Sequence, residues 1–135
     1  MKINKILETC LYSQDLDASR KFYNEILGLN LYSRSGNRHL FFRCGEAMFL
    51  IFNPEETRLP NQSVPPHGSQ GNGHVAFSIP KQEFPAWRAH LEEKGVKIDA
   101  DVYWPQGGRS LYFRDPSNNS IELTSPSIWG IAENE

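Results

Sequence analysis

The sequence predicts an α+β fold made of two βαβββ modules, and three observations support this prediction. Short apolar runs alternate with hairpin turns, one helix-like segment follows the first strand-like run of each half, and one six-residue stretch recurs. The chain has 135 residues, within the usual size of one domain. We therefore expect a single domain over residues 1–135, with module one at about 4–54, a linker at 55–72 and module two at about 73–126.

The first half begins with a strand followed by a helix. Residues 5–12 contain several good strand formers, and apolar residues then recur at helical spacing between residues 18 and 27. Asp15 and Asp17 are the candidate helix caps, and Gly28 is the expected C-terminal stop.

Three strand-like runs complete this half, at residues 29–33, 38–44 and 47–52. Turn residues at 35–37 and 45–46 separate them, as antiparallel hairpins require. The first half therefore reads βαβββ.

A second βαβββ order follows a connection. Residues 53–72 contain four prolines and almost no periodic apolar residues, so we expect a loop there, with a lid as the alternative. A strand at 74–79 and a helix at 81–94 come next, and Gly95 ends the helix. The remaining strands are expected at residues 96–103, 110–114 and 120–124.

The two halves also share residues. The stretch RHLFFR at 38–43 lines up with RSLYFR at 109–114. A repeat too small to bury its own sheet face must pair with its copy. We therefore expect a fused pair of modules, or a curved mixed sheet around a cleft.

Extending the alignment brings four positions into correspondence. It places Leu50 against Glu122, and Glu8 opposite His74. Unpaired ionisable side chains facing a core would cost several kcal/mol, and coordination of one divalent metal ion satisfies Glu8, His74 and Glu122 together. Two carboxylates and one imidazole leave room for water or ligand, and this set suits Zn, Ni, Mn, Mg or Fe. The sequence thus predicts a metal-binding cleft.

Composition and the distribution of apolar residues exclude some classes of partner and location. Fourteen basic and sixteen acidic residues give a net charge of -2 with no long basic run, so we expect no nucleic-acid partner. The longest apolar run, residues 47–52, is far short of the roughly 20 residues that span a bilayer. Residues 1–7 lack the features of a secretory signal, and Cys10 and Cys44 lie in strand-like runs, where reduced packing residues are expected. We expect a cytoplasmic protein without a membrane segment.

Four segments carry a family resemblance: residues 15–23 followed by Leu-Gly-Leu at 27–29, then residues 73–77, and residues 108–116 leading to Ile-Glu-Leu at 121–123. They resemble the vicinal oxygen chelate superfamily, the group of glyoxalase I, bleomycin resistance proteins and extradiol dioxygenases. The resemblance spans nearly the whole chain.

The resemblance implies a ligand set. Family members carry a ligand in the first strand, commonly His and sometimes Gln or Glu, and here that residue is Glu8; the second module supplies His74 and Glu122. Glyoxalase I enzymes usually have a fourth ligand, a Glu, near Leu50. Extradiol dioxygenases and fosfomycin-resistance transferases use two His and one Glu, and the potassium-binding loop and phosphonate contacts of the latter have no evident counterpart here.

Several functions follow from this set. We expect a metal-dependent enzyme that binds two adjacent substrate oxygens, with Glu122 or Glu8 as the catalytic residue that moves a proton. Lyase or isomerase chemistry of the glyoxalase type comes first, thiol transfer second and ring-opening dioxygenation third. A metal-free drug-binding protein and a subunit-interaction protein are the alternatives from other classes.

Six residues are candidates to contact the substrate. Arg109 either binds a carboxylate or phosphonate, or is a solvated hairpin arginine. Tyr103 and Trp104 are pocket walls or core residues, Tyr112 lines the metal's face of the sheet or the opposite one, and His67 is a mobile loop residue or a lid contact. The full set is Arg109, Tyr103, Trp104, Tyr112, Leu50 and His67.

The resemblance also implies a homodimer that acts on a small molecule. Whether the modules pair within the chain or across the dimer, which substrate is used, and whether a thiol takes part are left open by the sequence.

Overall fold

The computed structural model describes residues 1–60 and 62–133. The chain divides into two compact units, unit 1 at Met1–Gly73 and unit 2 from His74 onward. No helix in the described part of the chain is long and apolar enough to cross a membrane.

Unit 1 contains four strands, a helix between the first two, and a short helix after the last. The elements are β1 (Glu8–Tyr12), α1 (Leu16–Arg20) continued by a π-helical segment (Lys21–Ile26), β2 (Asn30–Ser35), β3 (His39–Cys44), β4 (Ala47–Phe52) and α2 (Pro54–Thr57).

Unit 2 repeats this order. Its elements are β5 (His74–Ser78), a 3-10 turn (Lys81–Glu83) that leads into α3 (Phe84–Glu93), β6 (Ile98–Tyr103), β7 (Arg109–Arg114), β8 (Ser120–Thr124) and a final 3-10 turn (Pro126–Trp129).

Each unit forms a four-stranded mixed sheet. The strand orders are β1-β4-β3-β2 and β5-β8-β7-β6, in which the first and last strands of a unit are parallel and the other neighbours are antiparallel. The predicted α+β fold with two βαβββ modules is confirmed. The strands form two sheets, one per unit.

The first helix begins and ends where the sequence indicates. The Asp15 carboxylate accepts a hydrogen bond from the backbone N–H of Ala18, which identifies Asp15 as the N-cap. Asp17, the other candidate, instead pairs with Arg34 at 2.7 Å. Gly28 follows the helix with a φ of 77°, a left-handed conformation that glycine adopts without strain.

The core of each unit lies on the helix-covered face of its sheet. In unit 1 the buried Tyr23 ring lies 4.9 Å from Phe49 and 5.9 Å from Phe42, measured between centroids. In unit 2 Phe84 and Leu91 of α3 are buried. Alternate strand residues therefore face either this core or the opposite face, which we call the open face.

The strand register confirms the repeat alignment. Phe41 on β3 is paired with Leu50 on β4, and at the same place in unit 2 Tyr112 is paired with Glu122. Leu50 and Glu122 therefore occupy equivalent positions on the two open faces.

Both units also contain the same β-bulge. Tyr32 is the extra residue of β2, and Asp99 is the extra residue of β6 at the equivalent register. Each bulge residue contacts the equivalent arginine of the next strand: the guanidinium of Arg43 lies 4.5 Å from the Tyr32 ring, and Arg114 pairs with Asp99 at 3.3 Å.

The connection between the units contains an element that was not predicted. Asn53 caps α2 by accepting from the Glu55 N–H, and Pro54 occupies its first turn. A four-residue helix is too short to show an apolar period. The first strand also begins later than predicted, at Glu8 instead of residue 5.

The two candidate caps provide a stability test. We expect Asp15→Ala to lower the free energy of unfolding by about 1 kcal/mol, because the Ala18 N–H loses its acceptor. Asp17→Ala should change it little, since only an exposed ion pair is lost. Urea denaturation followed by circular dichroism measures both; equal losses would contradict the assignment of Asp15 as the cap.

Candidate functional site

His74 and Glu122 meet on the open face of unit 2. His74 begins β5, Glu122 lies in the neighbouring strand β8, and the distance from Nε2 to Oε1 is 3.4 Å. The Glu122 side chain is 7% exposed and that of His74 is 51% exposed. A buried carboxylate thus faces an imidazole that is accessible from solvent.

Hydrogen bonding fixes the orientation of the His74 ring. Nδ1 lies 3.0 Å from the carbonyl oxygen of Ser120. A carbonyl only accepts hydrogen bonds, so Nδ1 carries the proton and the lone pair of a neutral ring is on Nε2. Nε2 and Oε1 of Glu122 are then two electron-pair donors side by side, an arrangement that a cation between them stabilises.

The other oxygen of Glu122 is held from within the sheet. The Ser110 hydroxyl donates to Oε2 at 2.6 Å, and the indole N–H of Trp104 donates to Ser110 Oγ at 2.9 Å. These bonds leave Oε1 directed toward His74. Ser110 was not among the predicted site residues; its only sequence signal is its alternation with Tyr112 along β7.

Tyr112 lies on the same face as Glu122, which decides between the two predicted orientations. Its ring is stacked near His74, with centroids 6.4 Å apart and planes 24° apart. Burial, followed by the negative charge of Glu122, raises the pKa of Tyr112. The phenol therefore stays protonated at neutral pH.

Arg109 lies on the other face of the sheet. It donates two hydrogen bonds to Asp101, at 2.8 and 2.7 Å, and its guanidinium lies 5.4 Å from the ring of Phe84 in α3. The largely exposed Tyr103 ring lies 4.9 Å from the same guanidinium. Both residues line a shallow groove of about 340 Å³ that Glu122 does not line.

Three predicted residues of unit 1 line one pocket. Glu8, Leu50 and His67 border a cavity of about 550 Å³ on the open face of unit 1. Its other lining residues are Arg38, His39, Phe41, Phe52, Gln62, Ser63 and Val64. The position equivalent to Glu122 is therefore an apolar part of the wall.

His67 connects the loop to the sheet. The Tyr12 hydroxyl and His67 Nδ1 are 2.7 Å apart, and the His67 ring meets Phe52 edge to face with centroids 4.6 Å apart. The backbone N–H of His67 also donates to the backbone carbonyl of Thr57 at 3.0 Å. His67 therefore joins the loop to the open face, and its role as a lid contact stays a prediction.

The metal-binding set is divided between the units. Within residues 1–60 and 62–133, no three His, Cys, Asp or Glu side chains form a group that could hold a metal ion. His74 and Glu122 form a pair in unit 2, while Glu8 belongs to unit 1. The metal-binding role of Glu8, His74 and Glu122 stays a prediction.

Residues 3–123 match the family model of the Glyoxalase/Bleomycin resistance protein/Dioxygenase superfamily. The chain belongs to this superfamily. The resemblance read from the sequence is thereby confirmed.

Two curated relatives are transferases. The chain is 35% identical over 117 residues to Glutathione transferase FosA from Serratia marcescens, which covers 84% of this chain and 75% of the relative. It is 32% identical over 133 residues to Metallothiol transferase FosB from Bacillus licheniformis, covering 96% of this chain and 82% of the relative.

Solved structures share the fold. Lactoylglutathione lyase from Agrobacterium tumefaciens superposes with a TM-score of 0.93 at 35% identity, covering 97% of this chain and 100% of that one. A glyoxalase/bleomycin resistance protein/dioxygenase from Nocardioides has a TM-score of 0.74 at 23% identity, covering 93% of this chain and 85% of that one.

The Arg109–Asp101 pair predicts a pH dependence. Hydrogen bonds from Arg109 are the main reason that the pKa of Asp101 lies below its usual 3.8. A depressed carboxyl pKa stabilises the fold above the unfolded-state value, and this contribution disappears as pH falls through the folded-state value. We expect wild type to have a higher free energy of unfolding than Asp101→Asn. This difference should have its maximum value at about pH 5 and should decrease below about pH 4.

Urea denaturation over this pH range measures the difference. Asp99→Asn is the matched control, because Asp99 pairs with Arg114 at the longer distance of 3.3 Å and is more exposed. A difference that grows as pH falls would contradict the assignment.

Proposed function

We propose that the chain is a divalent-metal-dependent thiol transferase that joins a thiol to a small oxygen-containing electrophile. The observation that carries this proposal is that Nε2 of His74 lies 3.4 Å from Oε1 of Glu122, while Nδ1 of the same ring is bonded to the Ser120 carbonyl. The names of similar proteins support a thiol as one of the two substrates. Two relatives are a glutathione transferase and a metallothiol transferase, and one similar solved structure is a lactoylglutathione lyase.

The donor atoms fit one divalent metal ion. His74 and Glu122 would hold it from unit 2, with Glu8 of the same chain or of a second copy in a homodimer as the third ligand. One nitrogen and carboxylate oxygens suit Zn, Ni, Mn, Mg or Fe. When bound, the metal supplies a positive charge that polarises an oxygen of the electrophile and stabilises the negative charge that develops on it.

Within unit 2, hydrogen bonds hold the carboxylate of Glu122 still. Ser110 binds Oε2 and is itself fixed by Trp104, so Glu122 has little freedom to rotate. Glu122 is therefore suited to a positioning role. Burial, followed by the charge of Glu122, raises the pKa of Tyr112, so the phenol keeps its proton and can donate a hydrogen bond to an oxygen that becomes negative.

Glu8 is then the more suitable base of the two predicted carboxylates. It is exposed at the start of β1 and lines the unit 1 pocket. Glu8 would take the proton from the thiol, and the sulfur would form a bond to an electrophilic carbon as its carbon–oxygen bond breaks. The leaving oxygen stays on the product when the electrophile is an epoxide, and it ends the reaction protonated.

Glyoxalase-type lyase chemistry is the second candidate. The similarity to the Agrobacterium lactoylglutathione lyase favours it. Against it, Leu50 occupies the position at which glyoxalase I enzymes usually carry a fourth ligand, and it is 5% exposed within an apolar wall.

Metal binding is the first test. After dialysis against divalent metal, elemental analysis should find about one equivalent per wild-type chain. Glu122→Gln and His74→Ala should lose most of it, because each removes a proposed ligand. Glu46→Gln and His90→Ala are the matched controls, because the exposed Glu46 and the half-buried His90, which packs against Trp87, lie outside the site.

Glu8→Gln extends this test. Weaker binding supports a third ligand from unit 1, and light scattering of the same sample determines whether the chain is a dimer. A wild-type chain without stoichiometric metal would overturn the proposal.

The reaction itself is the second test. Metal-loaded protein incubated with glutathione and a small epoxide should give a product whose mass is the sum of the two, at a rate that Glu122→Gln reduces at least about a hundredfold. The same assay with methylglyoxal reports lyase chemistry as a thioester. Thioester formation without epoxide addition would replace the transferase assignment with the lyase.

A further inference from the structure

We propose that the unit 1 pocket is a binding site for a small organic monocarboxylate with a flat apolar body, whose carboxylate is bound by Arg38. The proposal rests on unit 1 alone. It requires neither a bound metal nor the transfer of a thiol.

The walls of the pocket suit a flat apolar group. The ring of His39 is stacked on Phe41, with centroids 3.8 Å apart and planes 2° apart, and Phe52 meets Phe41 edge to face at 5.7 Å. Leu50 adds an aliphatic surface. With a volume of about 550 Å³, the pocket is in the size range of small-molecule sites.

Arg38 is the positive charge in this pocket. Its guanidinium is half-buried and lies 5.6 Å from the Phe52 ring. Its nitrogens lie 3.3 and 3.2 Å from the amide oxygen of Gln62, and a third contact of 2.6 Å joins it to Nδ1 of His39. Both partners are uncharged when His39 is neutral.

Two facts keep His39 neutral. Burial, followed by the charge of Arg38, lowers the pKa of His39. Arg38 can only donate, so Nδ1 must accept with its lone pair. The hydrogen bonds of the guanidinium to Gln62 and His39 are therefore bonds to uncharged groups, and a ligand carboxylate would bind it more strongly through charge-assisted hydrogen bonds.

The repeat supplies an internal comparison. Arg109 is equivalent to Arg38, and in unit 2 its charge is balanced by Asp101. The strand register places Arg34 where unit 2 has Asp101, since Arg34 pairs with Leu40 and Asp101 pairs with Leu111. Arg34 is paired with Asp17, and Arg38 lies against Phe52 and Gln62 on the open face instead of meeting a carboxylate on the preceding strand.

Glu8 limits the charge of the ligand. It lines the same pocket, so a second negative charge on the ligand would be repelled. The pocket therefore favours a monocarboxylate over a phosphate or a dicarboxylate.

Benzoate is the probe for this site, and benzamide is its uncharged isostere. Titration of the full-length protein, followed by ¹H–¹⁵N NMR, should show saturable binding of benzoate with shifts at residues 38–41, 52, 62–64 and 67. Benzamide should bind roughly tenfold more weakly, because the charge-assisted bonds to Arg38 are lost. Binding should persist in the presence of a chelator, because Arg38 holds the carboxylate without a metal.

Variants then test the role of Arg38. Arg38→Gln should weaken benzoate binding roughly tenfold, and Arg38→Lys should keep the preference for benzoate over benzamide. Arg34→Gln is the matched control, since it removes the same charge from the exposed partner of Asp17. If Arg38→Gln fails to fold, the wild type and Arg38→Lys still carry the test.

Three outcomes would overturn the proposal: equal affinity for benzoate and benzamide, shifts confined to residues of unit 2, or an equal loss in Arg34→Gln. Loss of benzoate binding only after chelation would assign the site to the metal. Failure of the transferase assay would leave this result unaffected, because the titration needs neither thiol nor metal.

Discussion

The parallel pairing of the first and last strands in each unit is the constraint on which both candidate sites depend. It joins β1 to β4 and β5 to β8, strands that are far apart in sequence. In unit 2 this pairing places Ala76 opposite Glu122 and brings the ring of His74 next to that carboxylate. Without it, the imidazole and the carboxylate would share neither a face nor a fixed separation.

The same framework carries two different surfaces. Equivalent positions are occupied by His39, Phe41, Leu50 and Phe52 in unit 1, and by Ser110, Tyr112, Glu122 and Thr124 in unit 2. On the helix-covered face, the buried residues of the third strand of each unit are apolar, Leu40 and Phe42 in unit 1 and Leu111 and Phe113 in unit 2, because the core requires this. The open faces are not constrained by the core and differ. That of unit 1 forms an apolar pocket, and that of unit 2 carries the hydrogen-bonded carboxylate of Glu122.

Features set by local patterns were predictable from the sequence. Asp15 and Gly28 flank an apolar helical period, and the alignment of Leu50 with Glu122 follows from counting along two hairpins. The face of the sheet on which Arg109 lies was not predictable from the sequence. Its partner Asp101 is on the preceding strand, and the register that joins the two strands includes a bulge.

The roles of Ser110 and Arg38 could not be predicted from the sequence for other reasons. A serine in a strand has no distinctive signal until its acceptor, the carboxylate of Glu122, is known. The importance of Arg38 lies in the charge of its neighbours, and that depends on Gln62 and His39, which reach it from a loop and from the next residue of the strand.

The shared β-bulge bears on the history of the chain. An extra residue is accommodated at the same register in β2 and β6, although Tyr32 and Asp99 have no chemistry in common. Separate insertions at equivalent places in both halves would be a coincidence, whereas one insertion in an ancestral half-length gene, before it was duplicated and fused, accounts for both. The stacking of Arg43 on Tyr32 and the ion pair of Arg114 with Asp99 are then two later solutions to one inherited irregularity.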